Sequence, residues 1–153
     1  MELKKYLIFI LIFNFTKFLY ADIVKPTENL TAYDVVKIQL TALKNNNKPS
    51  KNAGIKQTWI FAHPENKKFT GPYERFESML LGNQYNFLLN HDSHKIKLIM
   101  NSKDTYVYNI ELISKEKKMY FYKWHLEKST TDACSNCWFT TIVSPPTNMG
   151  NTI

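Results

Sequence analysis

The two cysteines of the chain stand three apart, in Cys134-Ser135-Asn136-Cys137. In an oxidising compartment such a pair closes as a disulfide, here clamping the turn that enters a strand. A redox-active pair wants its first cysteine at a helix N-terminus, where the dipole lowers the thiol pKa. Cys134 precedes a strand pattern instead, so a structural disulfide is the preferred reading. His91 and His94 flank Asp92-Ser93, a neighbourhood in which a carboxylate orients an imidazole for general-base work. Against this stands the ordinary solvent-facing turn. His63, beside Pro64, falls at a helix end where it can bond the last carbonyls, and general-base work is its alternative. Zinc wants four converging ligands, and no second Cys or His pair stands at a suitable offset, so no metal is expected. With no glycine-rich phosphate loop and no Gly-x-Ser-x-Gly elbow, no cofactor is expected either.

The third chemical resource is aromatic, at 14% of 153 residues. Much of it alternates. Residues 105–113 set Tyr106, Tyr108, Ile110 and Leu112 against Val107, Asn109 and Glu111, and residues 118–127 set Tyr120, Tyr122, Trp124 and Leu126 against Lys123, His125 and Glu127. Residues 95–100 repeat the pattern with Ile96, Leu98 and Met100 against lysines. Period two means strands with one wet and one dry face. Trp59 on a helix, Tyr85, and Trp138 on a last strand, 138–143, join the dry-face rings as candidates to line a pocket for a planar or hydrophobic ligand oriented by phenol hydroxyls. The competing reading is aromatic core packing.

Helices must cover that dry face. Thr31 and Asp34 have the spacing of a capping box, and Val36, Leu40 and Leu43 form the stripe of a first helix that ends at Asn45. Ser50 can cap a second, with Ile55, Trp59 and Ala62 on one side, until Pro64 stops it. Pro72 starts a third, closed by Gly82. Three helices followed by an antiparallel meander make an α+β layer over residues 22–143, with 144–153 as a loose tail.

Residues 1–21 differ from the rest. Lys4 and Lys5 precede an apolar run from Tyr6 to Phe15, and Ala21 offers a small residue before Asp22. This reads as a secretory signal peptide, with export to a periplasmic or extracellular space; the alternative is an uncleaved N-terminal membrane anchor. Cleavage after Ala21 takes the net charge from +7 to +5. The remaining lysines are dispersed and Arg75 is the sole arginine, so no nucleic-acid surface is expected.

Trp59 with Phe61-Ala62-His63-Pro64, Asn66, Thr70-Gly71-Pro72, Arg75-Phe76, Met79-Leu80, Tyr85 and Cys137-Trp138 resemble a family of small exported proteins of unassigned function. That family is similar to the nuclear transport factor 2-like superfamily, which includes the SnoaL-like cyclases. The resemblance covers roughly residues 31–143. It implies a cone: a strongly curved sheet wrapped around helices, with a pocket at one end. The scaffold serves isomerases, dehydratases, cyclases, ligand carriers and docking modules, so it does not choose among them. The Asp/His/Tyr sets of its enzymes have no counterpart here. The expectation is therefore an exported, non-catalytic domain that buries a small apolar or aromatic ligand. Its rivals are an isomerase, dehydratase or cyclase using a pocket His or Tyr as base, and a docking module, as in a homodimer.

Overall fold

The computed structural model describes residues 22–131 and 134–151, so the signal-peptide reading of 1–21 lies outside the described residues. Four helices come first: α1 (Ala32–Lys44), α2 (Ala53–Ile60), α3 (Pro64–Thr70) and α4 (Tyr73–Leu81). A single 3-10 turn over Asn86–Leu88 leads into five strands, β1 (Ser93–Asn101), β2 (Thr105–Ile113), β3 (Lys118–Lys128), β4 (Trp138–Val143) and β5 (Thr147–Asn151). The fold is α+β. No helix among the described residues is long and apolar enough to cross a membrane.

The capping box at the start of α1 forms as its spacing implies. Thr31 accepts from the Asp34 backbone, and the Asp34 carboxylate accepts from the Thr31 backbone and hydroxyl. Those bonds hold the Asp34 carboxyl below its usual pKa. Behind this start, Val35, Val36, Leu40 and Leu43 are wholly buried.

Two expectations about the helices need correction. Helix α2 is entered through Asn52, which adopts a left-handed conformation at φ 58°, and not through a Ser50 cap. The helices also number four instead of three: α2 stops at Ile60, which leaves Ala62 outside it in a bridge to Thr140, and Pro64 opens a helix of its own. At the first helical position its missing N–H is no loss. The imidazole of His63 caps this helix, Nδ1 accepting from the Glu65 N–H at 3.2 Å. Helix α3 buries none of its residues, so it has no apolar stripe for a periodicity argument to find.

The sheet is open and antiparallel in the order β1-β2-β3-β4. Residues 144–153, expected as a loose tail, carry β5, which pairs with the first half of β3 while β4 pairs with the second half. Ser144 stitches the junction: its N–H donates to the Lys123 carbonyl and its Oγ accepts from the Lys123 N–H. The dry faces of β2 and β3 bury Tyr108, Ile110, Leu112, Tyr120, Tyr122, Trp124 and Leu126 in one cluster with α1, Ile55, Phe61 and Leu80. Strand β1 departs from the expected alternation. Leu98 keeps its register opposite Tyr108 and a register shift follows it before Met100, and both side chains are more than half exposed on this edge strand.

Helices α1 and α2 approach too closely for any side chain at one point. A Cβ on Gly54 would lie 2.1 Å from the Ala42 carbonyl oxygen and 2.7 Å from its carbon, both backbone atoms. Helix propensity alone favours Gly54→Ala by about 1 kcal/mol. A backbone clash at 2.1 Å puts the cost of forcing the helices apart at the upper end of the overpacking range, about 3 kcal/mol, which outweighs that gain. Gly54→Ala is therefore expected to lower the unfolding free energy by about 2 kcal/mol in urea titration; an unchanged or raised midpoint would contradict this packing.

Candidate functional site

The apolar stripe of α1 is interrupted by one polar side chain. Gln39 stands three residues after Val36 and four before Leu43, and is 1% exposed. A buried amide must find partners or cost stability. Its Nε2 donates to the Thr58 carbonyl at 3.1 Å. Its Oε1 accepts from the Trp124 indole at 3.0 Å and from the Thr140 hydroxyl at 2.6 Å. The indole N–H also reaches Thr140 Oγ1 at 3.1 Å. One amide thus joins α1, α2, β3 and β4. On the β4 side, Thr140 is held from the backbone as well, its N–H donating to the Phe61 carbonyl and its carbonyl accepting from the His63 N–H.

Above this cluster lies a cavity of about 250 Å³. Gln39, Leu43, Leu88 and Trp124, all buried, form its base. Phe76, Leu80 and Tyr85 line its walls, and Met79 on α4 and Ile142 on β4 mark its rim at 39% and 57% exposure. Among the described residues the lining carries no carboxylate, imidazole, ammonium or guanidinium. Tyr85 donates its hydroxyl to the Val143 carbonyl at 3.1 Å. Burial raises the pKa of that phenol, so it stays neutral.

Of the eight aromatic candidates, Tyr85 and Trp124 line the cavity. The other six are placed elsewhere. Tyr106 stacks on Tyr108 and meets Trp138 edge-on, and Phe87 stacks over Tyr120 at 4.2 Å. Trp59 packs between Phe76 and Tyr73 with the Lys67 ammonium 5.3 Å from its ring. Tyr122 is buried in the core with no hydrogen-bond partner for its hydroxyl among the described residues, and burial raises its pKa strongly. Burial likewise pushes Tyr108 up to about 12. The sheet's aromatic face is thus mostly packing. Gln39 and Thr140 escaped the sequence reading, although a glutamine on the Val36–Leu43 stripe was a visible signal.

Cys134 and Cys137 form a close pair with Cα atoms 5.5 Å apart, a separation that a disulfide spans. Cys137 is fully buried, and Cys134 lies against the Pro26 carbonyl of the N-terminal lead. The lead is held a second time by Gln57, whose amide accepts from the Val24 N–H and donates to the Val24 carbonyl, both at 2.8 Å.

Neither candidate base lines the cavity. His63 serves as the cap of α3, described above, and not as a partner of carbonyls at a helix C-terminus. His91 is 2% exposed instead of facing solvent. Its Nδ1 lies 2.7 Å from the Leu88 carbonyl and so carries the proton; its Nε2, 2.7 Å from His94 Nδ1, accepts. Both ring nitrogens are committed. Among the described residues no cluster of three or more His, Cys, Asp or Glu could hold a metal ion.

Comparison of the chain with protein-family models, curated proteins and solved structures finds no match.

The histidine pair makes stability depend on pH. Burial pushes the His91 pKa down to about 4, opposed by the Leu88 carbonyl and the Asp92 charge and aided by His94 and Lys44. Above pH 6.5 the ring is neutral in folded and unfolded chains alike and contributes nothing. Between pH 6.5 and 4 the unfolded chain binds a proton that the folded chain refuses, so stability falls as pH falls, by roughly 3 kcal/mol in all. His94, also lowered by burial, adds in the same direction. Urea unfolding at stepped pH values should show this loss, with a shallower slope in His91→Gln; equal slopes would contradict it.

Proposed function

We propose that this chain is an exported, single-domain protein that binds one small, largely apolar ligand in the cavity between α1, α2, α4 and β4, without a catalytic step. The observation that carries the reading is the cavity itself. Its walls are mostly hydrocarbon, and its base is a buried amide and hydroxyl cluster whose members already satisfy one another. Its volume of about 250 Å³ lies between the ~150 Å³ that holds benzene and the ~300 Å³ at which sites for drug-sized molecules begin. A single ring with a short substituent fits that interval. Among the described residues no carboxylate or imidazole lines the cavity to serve as a general base, which favours binding over the isomerase or cyclase reading.

Helices laid on one face of an open antiparallel sheet, with a hollow at one end, are compatible with a nuclear transport factor 2-like cone, and we carry that assignment as part of the same reading. Export rests on residues 1–21, and the cysteine pair, read as a disulfide, suits an oxidising compartment.

Native mass spectrometry of the protein purified from the non-cytoplasmic fraction of its own host tests these parts together. The expected species begins at Asp22, is two hydrogens lighter than the dithiol, and carries a small non-covalent adduct. Toluene added to ligand-free protein should raise the unfolding temperature, and Met79→Trp at the rim should abolish the rise. A strictly ligand-free mass, with no response to toluene and a cavity filled by side chains in a crystal structure, would overturn the reading.

A further inference from the structure

The cavity contains five hydroxyl-bearing residues, and the structure fixes where each proton goes. Thr58 donates to the Gly54 carbonyl at 2.9 Å and Thr70 to the Asn66 carbonyl at 2.8 Å, each closing back onto its own helix. Thr140 donates to Gln39 Oε1 at 2.6 Å, Thr141 to the His125 carbonyl at 3.4 Å, and Tyr85 to the Val143 carbonyl at 3.1 Å. A hydroxyl has one proton and two lone pairs. With every proton turned into the protein, the wall offers oxygen lone pairs. Gln39 adds little accepting capacity, since its Oε1 already takes two bonds, and one of its two N–H groups is committed to Thr58. One N–H of the Asn66 amide donates to the Thr141 carbonyl, which leaves one N–H on each of the two amides against five hydroxyl oxygens.

Charge narrows the choice further. With no charged side chain among the described residues of the lining, an ion entering the cavity would lose its hydration and meet no counter-charge there. Tyr85 does not ionise near neutral pH, since burial raises its pKa, so its oxygen remains a neutral acceptor.

Given the ligand-binding reading above, on which this step rests, we infer that the cavity selects an uncharged molecule that donates a hydrogen bond, an alcohol or a phenol, over the ketone, hydrocarbon or carboxylate of the same shape. A donor hydrogen can meet the lone pairs of those five hydroxyl oxygens. A ketone finds at most the two remaining amide N–H groups, whereas an alcohol can accept from those and also donate to the hydroxyl oxygens, and sites built around hydrogen bonds reject analogues that leave them unmade.

Four probes of similar size test this by calorimetric titration of the whole exported chain: toluene, cyclohexanol, cyclohexanone and benzoate. Cyclohexanol should bind about tenfold more tightly than cyclohexanone, and benzoate should not bind. Tyr85→Phe should reduce the alcohol-to-ketone ratio several-fold, and Thr58→Val, which alters a different wall, should do so independently. If toluene binds while cyclohexanone equals or exceeds cyclohexanol, the donor inference is overturned and the ligand-binding reading stands. Benzoate as the tightest probe overturns the inference also. If none of the four binds, both fail.

Discussion

Gln39 constrains this molecule more than any other side chain. Its amide carries hydrogen bonds to α2, β3 and β4 from inside α1, in a region where an unmade bond costs about 1–3 kcal/mol. The partners are fixed in turn, because Trp124 must present its indole N–H and Thr140 its hydroxyl to the same oxygen. Such an arrangement tolerates little sliding of helix against sheet. The apolar side chains above it cannot collapse onto a polar cluster already satisfied within itself, and the space between Leu43, Phe76, Leu80 and the end of β4 stays open. Cavity and polar knot are two aspects of one packing solution.

Much of the fold was legible because it rests on local rules. The Thr31 and Asp34 capping box, the alternating tyrosines of β2 and β3, and the limits of β4 follow from residue types and period two. What escaped has physical reasons. Helix α3 buries nothing, so no stripe announces it, and its start depends on a histidine acting as a cap. Strand β5 is exposed along its length and owes its existence to the free half of the β3 edge, a fact about pairing and not about its own residues. Leu98 and Met100 alternate correctly, yet both lie more than half exposed on the edge strand, Met100 beyond a register shift.

The site was less legible than the fold. Periodicity tells which face of a strand is dry, but not whether the space opposite is filled or hollow. Hence Tyr106, Tyr108, Tyr120 and Tyr122 were visible as one face, while on that face it is Trp124, opposite Tyr108, that borders open volume. The residues that give the hollow its polarity, Gln39 and the threonines of α2 and β4, are of types common anywhere on a surface. Their meaning comes from burial. The same holds for His91, whose neighbour Asp92 suggested catalysis, but whose buried ring is instead committed to Leu88 and His94.

A double-mutant cycle on Gln39 and Thr140 tests the knot most directly, using Gln39→Leu, Thr140→Val and the pair, each measured by urea unfolding of the whole chain. If the amide and hydroxyl hold the layers as described, each single change strands the partner group, and the pair together costs less than the sum of the two by more than about 1 kcal/mol. Costs that simply add, within about 0.5 kcal/mol, would show that the two side chains act independently and would contradict the account.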